Sequence, residues 1–155
     1  MVRNPEADLV TPHARAWVGT PFRLHGRDAT GLDCFGLILR VGWTLGLPLP
    51  DATGYGMAGD GPRLRTWLEA NLVPLRTFSD AGPGDVVALR LRLGWEHVGL
   101  LGWLHGSLSL IHVHTLARRA GQQRLGWCVE HGWVPPWSGR LAAVYRYRGA
   151  TAWPH

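Results

Sequence analysis

The apolar pattern of this chain changes period near its middle, and that change limits the folds open to it. Up to about residue 80 the apolar residues recur at helical spacing; beyond it they alternate. The segment CFGLILRVGWTLGL, residues 34–47, carries Phe35, Leu37, Ile38, Val41 and Leu45 at the spacing of an amphipathic helix capped by Asp33. Another helix opens at Pro62 and runs through Leu72, with Leu64, Trp67, Leu68 and Leu72 on one face. Thr11-Pro12 reads as the N-cap and first residue of a short helix through Trp17. Gly82-Pro83-Gly84-Asp85 is a turn, and strands are expected over 86–91, 97–104, 108–114, 128–131 and 141–148. In 108–114, Leu108, Leu110, His112 and His114 point one way and Ser109, Ile111 and Val113 the other. His105-Gly106-Ser107 makes a tight connection between two strands. Residues 22–32, 48–61 and 115–126 read as loops. Helices first and strands afterwards predict an α+β domain with an antiparallel sheet. With no repeat and no linker, residues 1–155 are expected to form one domain.

Composition narrows the partners. Only 17% of residues are charged and 46% are apolar, which excludes a disordered tail. The net charge is +5, and all 16 basic residues are Arg. They are scattered, as in Arg63 and Arg65 or Arg146 and Arg148, and no stretch interleaves them with aromatics, so nucleic-acid sequence recognition is not expected. A basic surface is drawn instead to an anionic polymer or a membrane face. Nine Trp accompany only two Ile; Trp17, Trp43 and Trp67 are expected in the core and Trp95 beside a cleft. Cys34 and Cys128 are too few for a disulfide framework and read as thiols. MVRNPEADLV has no apolar signal region, so the chain is expected to be made in the cytoplasm without a signal peptide. No apolar run reaches membrane-spanning length.

The chemistry points to Asp33-Cys34. A cysteine at the first position of a helix meets unpaired backbone N–H groups that favour a thiolate and can hold an oxyanion. Gly36 lets substrate or a neighbouring element approach. Taken alone, such a cysteine also suits an apolar helix core. His97, at the head of a strand, supplies the base that a thiol nucleophile needs close in space but not in sequence. His112, across a hairpin from His97, can orient it; His114 shares the same face and competes for the role. Arg23, His25 and Arg27 precede the nucleophile and can meet substrate carboxylates, or form an exposed polar loop. A metal site built from Cys34, His97, His112, His114, Cys128 and His131 is a weaker reading, because neither CxxC nor HExxH occurs.

These residues, in this order, resemble a known family. ARAWVGTPFRLHGRDATGLDCFGLILRV resembles the first signature of the NlpC/P60 cysteine peptidases, in which a Gly-x-Pro-Tyr stretch and glycines lead to Asp-Cys-Ser-Gly-Leu at the head of a helix. AGPGDVVALRL, EHVGLL and LSLIHVH are similar to the second half, a Pro-Gly-Asp turn into a strand, His-Val-Gly-Ile, and an apolar-apolar-His segment. CVEHGW and LAAVYRYR are similar to endings in the phage-tail and gene-transfer-agent branch. The resemblance spans roughly residues 14–114. Phe22 stands where the family has Tyr, and Phe35 replaces the Ser after the nucleophile.

The resemblance implies a papain-like fold, with N-terminal helices packed on the sheet and the nucleophile at a helix N-terminus. It implies Cys34 as nucleophile, His97 as base and His112 as third catalytic residue; Phe22, Arg23, His25, Asp33 and Trp95 are expected to bind substrate. No metal or other cofactor is implied. The implied substrate is the peptidoglycan stem peptide, at a D-γ-glutamyl–diamino acid bond. The implied setting is a virion or gene-transfer-agent tail, with tail tip and baseplate proteins as partners, acting in the periplasm of the target cell. The alternative is a catalytically weak structural component of that tail tip.

Overall fold

The computed structural model describes residues 8–57, 60–91, 94–115 and 125–149, and of Trp95 the backbone alone. Helix α1 spans Thr11–Arg15, with Val10 at the N-cap and Thr11 already helical. The capping oxygen comes from Asp8, whose carboxylate accepts from the amides of Val10 and Thr11 and from the Thr11 hydroxyl. α1 ends two residues short of the expected Trp17. The chain turns at Gly19, φ +93°, and the Gly19 amide bonds to the Cys128 carbonyl.

The expected loop at 22–32 contains two short strands, β1 (Arg27–Asp28) and β2 (Gly31–Leu32), paired antiparallel. Asp28 turns the chain between them by accepting from the Thr30 amide at 2.9 Å. α2, Cys34–Thr44, follows at once. Asp33 caps it, accepting from the Gly36 amide at 2.7 Å. It closes three residues before the expected Leu47, where Gly46 takes φ +82°. α3, Gly61–Asn71, is capped by Asp60 and buries Leu68 completely.

Among the described residues, six strands form one antiparallel sheet, in the order β3 (Val73–Pro74), β8 (Leu141–Arg146), β4 (Val86–Arg90), β5 (Trp95–Leu104), β6 (Ser107–Thr115), β7 (Gly126–Gly132). β3 has no counterpart in the sequence pattern, because two residues cannot display a period. The last strand, β8, inserts beside β4. Asp85, at the end of the Pro-Gly-Asp turn, holds it there: its carboxylate receives Arg146 Nε at 2.8 Å and Nη2 at 2.9 Å and is fully buried. His105, φ +52°, and Gly106, φ +81°, form the tight β5–β6 turn.

Both faces of the sheet are covered. On one face α2, with Leu37, Ile38 and Val41, packs against Val86, Ala88, Val98, Leu100, Ile111 and Val113. On the other, Val87, Leu89, Leu101 and Leu110 lie beneath Phe78, Trp133 and Trp137. This second cover explains why successive β6 residues, from Leu110 to Val113, are all buried. Trp17, Trp43 and Trp67, expected in the core, pack against its rim while partly exposed. Among the described residues, no helix is long and apolar enough to cross a membrane.

Candidate active site

Cys34 is the first residue of α2, and the loop before it is fixed by one carboxylate. Asp33 Oδ1 accepts from the Gly36 amide at 2.7 Å and Arg27 Nη1 at 2.8 Å. Its Oδ2 accepts from the His25 amide at 2.9 Å and the Tyr55 hydroxyl at 2.5 Å. Arg27 also donates to the Ala52 carbonyl, Tyr55 Oη and Asp51. The head of α2 is thereby tied to both preceding and following loops. Gly36 is required by close approach: a Cβ there would lie 2.2 Å from the Gly26 carbonyl oxygen.

The Cys34 side chain lies at the wall of a cavity of about 1300 Å³ that His97 also lines. The β5–β6 ladder stops at the pair Leu100–Ile111, so the amide of Val98 lies beyond the pairing. That amide and those of Phe35 and Cys34 favour the Cys34 thiolate. Burial outweighs them, with Asp33 adding to it, and pushes the thiol up to about 12. His97 is pushed down to about 4, by burial first and then by His114 and Arg140. The resting pair is therefore a neutral thiol and a neutral imidazole; they face one cavity without a hydrogen bond between them. Catalytic bonds of this kind often close only around substrate.

Behind His97 stands a file of imidazoles. His97 and His112 meet at 2.8 Å between Nε2 and Nδ1. His112 and His131 meet at 2.8 Å between their Nε2 atoms. His131 Nδ1 reaches the Gly132 carbonyl at 2.9 Å. Burial holds His112 down at about 2, helped by His97, His131 and His114, so it is neutral. Trp137 covers the file, with ring centroids 5.6 Å from His97 and 4.5 Å from His112.

Of the two candidates for the third position, His112 bonds to His97, whereas His114 lies on the cavity wall with its ring 5.8 Å from His112. Phe22 and Asp33 line the cavity, but all four Asp33 bonds are internal. Arg23 and His25 do not line it. Arg23 is exposed and pairs with Asp28 at 3.5 Å, and the His25 ring donates to the Tyr55 carbonyl at 2.6 Å. Arg27 is spent on Asp33 and Asp51 rather than offered to a ligand. Trp95 stands in β5, and its side chain lies outside the described residues. Tyr55, Trp137 and Arg140 line the cavity without any local sequence signal. The six possible metal ligands do not converge: the imidazole nitrogens bond to one another in a line, and among the described residues no three His, Cys, Asp or Glu could hold an ion.

No protein-family model matches the chain, and no curated protein sequence does. Among solved structures, the chain is similar to the NlpC/p60 domain of the peptidoglycan hydrolase SagA, at 21% identity and a TM-score of 0.53. The match covers 92% of this chain and 98% of that one. The mixed architecture, helices against an antiparallel sheet, is thus the NlpC/p60 fold.

Proposed function

We propose that the protein is a cysteine peptidase of the NlpC/P60 type that hydrolyses stem peptides of peptidoglycan, at the D-γ-glutamyl–diamino acid bond. The observation that carries this reading is the shared cavity: a thiol at a helix head and an imidazole backed by a second imidazole open onto the same space. The fold in common with a peptidoglycan hydrolase domain supports the substrate class. The similarity of the C-terminal segments to the phage-tail branch supports a place in a tail tip that opens the wall locally, on the periplasmic side of the target cell.

In this mechanism Cys34 Sγ attacks the scissile carbonyl as its proton passes to His97. The two steps are concerted, since a thiol raised by burial and an imidazole lowered by it do not form an ion pair at rest. The Cys34 backbone N–H, at the head of α2, stabilises the oxyanion. His97 returns the proton to the leaving amine, and the thioester forms as the C–N bond breaks. His97 then takes a proton from water, whose oxygen attacks the thioester carbonyl; the C–S bond breaks, and the proton returns to Cys34 Sγ.

Mass spectrometry of muropeptides after digestion tests this. Wild type is expected to release cleaved stem peptides, and Cys34→Ala to lose at least about 10³-fold in rate. A second reading, a weakly active tail-tip component, is favoured by the raised thiol and the missing Cys34–His97 bond. It predicts negligible release by both proteins.

A further inference from the structure

The file of imidazoles ends on a group whose chemistry is unambiguous. The Gly132 carbonyl can only accept, so His131 Nδ1 carries a proton and donates to it. In neutral His131, Nε2 is then an acceptor. The contact with His112 Nε2 requires that nitrogen to be the donor. His112 Nδ1 is left as an acceptor, and the proton in its contact with His97 must sit on His97 Nε2. The remaining nitrogen, His97 Nδ1, keeps its lone pair. Four groups in a row leave one arrangement, and it is the one in which His97 can accept a proton from a thiol.

We infer that His131 is a positioning residue that sets the tautomer of His97, and that its protonation withdraws the lone pair of the base. When His131 is charged, both its nitrogens donate. His112 must then accept at Nε2 and carry its proton on Nδ1, which donates to His97 Nε2. The proton of His97 is displaced to Nδ1, where the base needs a lone pair. One proton gained at β7 is thus read out at β5, about two imidazole widths away, with no backbone movement and no net charge on His112 or His97. His131 suits the outer position because it is partly exposed, whereas His112 is fully buried and His97 nearly so.

Among the described residues, the groups facing His131 come from two other elements. β6 contributes His112 and His114. The turn before β8 contributes Trp137, 6.2 Å between ring centroids, with Arg140 stacked on its ring at 5.0 Å. Glu130, the next residue along β7, is committed to Arg15 and Ser109.

The inference rests on the proposed role of His97, and its test separates the two. Long-range ¹H–¹⁵N spectra of the intact wild-type protein at neutral pH report each ring's protonated nitrogen without any substrate. The expected result is Nε2–H at His97 and His112 and Nδ1–H at His131; a proton on His97 Nδ1 overturns the inference whatever the activity. In His131→Phe, which offers no acceptor, the His112 and His97 signals are expected to become tautomer mixtures, and kcat to fall about tenfold or more with KM unchanged. His131→Gln retains an acceptor and is expected to restore kcat. With no ionisable ring at the end of the file, its acid limb should lie below that of wild type. An acid limb unmoved in His131→Gln, or unaltered tautomers in His131→Phe, contradicts the inference. Undiminished hydrolysis by Cys34→Ala would instead remove the cysteine-peptidase reading and leave the spectra to decide the tautomer.

Discussion

Asp33 has four bonds on one carboxylate, and three of them come from outside its own helix. The residue before the nucleophile is therefore a joint. Its loss removes a helix cap, worth about 1 kcal/mol, and leaves the largely buried Arg27 without its main partner, a cost of about 3 kcal/mol. Asp33→Ala is expected to lose about 3 kcal/mol or more in urea denaturation; a change below about 1 kcal/mol would mean that the joint is redundant. At the other end of the site, His112→Ala removes the acceptor of His97 Nε2–H. The expected result is a fall in kcat of about 10²-fold or more with little change in KM, measured on a soluble muropeptide.

At the scale of elements, the close crossing of α2 and the loop before it depends on Gly36. Gly36→Ala drives a Cβ to 2.2 Å from the Gly26 carbonyl oxygen, and backbone cannot yield as a side chain tip does. A loss of about 1–3 kcal/mol is expected by thermal denaturation, together with reduced turnover as the helix head shifts. α2 itself was legible in the sequence from a capping Asp and apolar residues at helical spacing, both local signals; its end was not, and the expected helix overran Thr44 by three residues. β1, β2 and β3 were not, because each has two residues, too few to display a period, and β3 in addition pairs with β8, far along the chain. Spacing brought Cys34, His97 and His112 into one argument. It gave no means of seeing that Arg27 and His25 serve the joint at Asp33, since both could equally face solvent from a loop. Trp137 and His131 joined the site through the β6–β7 register and a turn before β8, neither of which leaves a periodic trace.

For the molecule as a whole, the buried imidazoles link folding to acid. His97 and His112 ionise near the ordinary histidine value when unfolded, but at about 4 and about 2 when folded. Below pH 6.5 the unfolded chain binds more protons, so stability present above that pH is lost as pH falls through the folded values. His97 alone should remove about 3 kcal/mol between pH 7 and pH 4. Urea denaturation across that range checks the sign, and His97→Gln should flatten the curve. The same two burials keep the site uncharged until substrate arrives, which joins the fold's stability to the chemistry proposed for it. That chemistry is tested most directly by trapping the acyl-enzyme: mixing the protein with a soluble stem-peptide substrate, quenching in acid and mapping the adduct by peptide mass spectrometry. An acyl mass is expected on the peptide containing Cys34 and none on the one containing Cys128. An adduct on Cys128, or product formed with Cys34 never acylated, would contradict it.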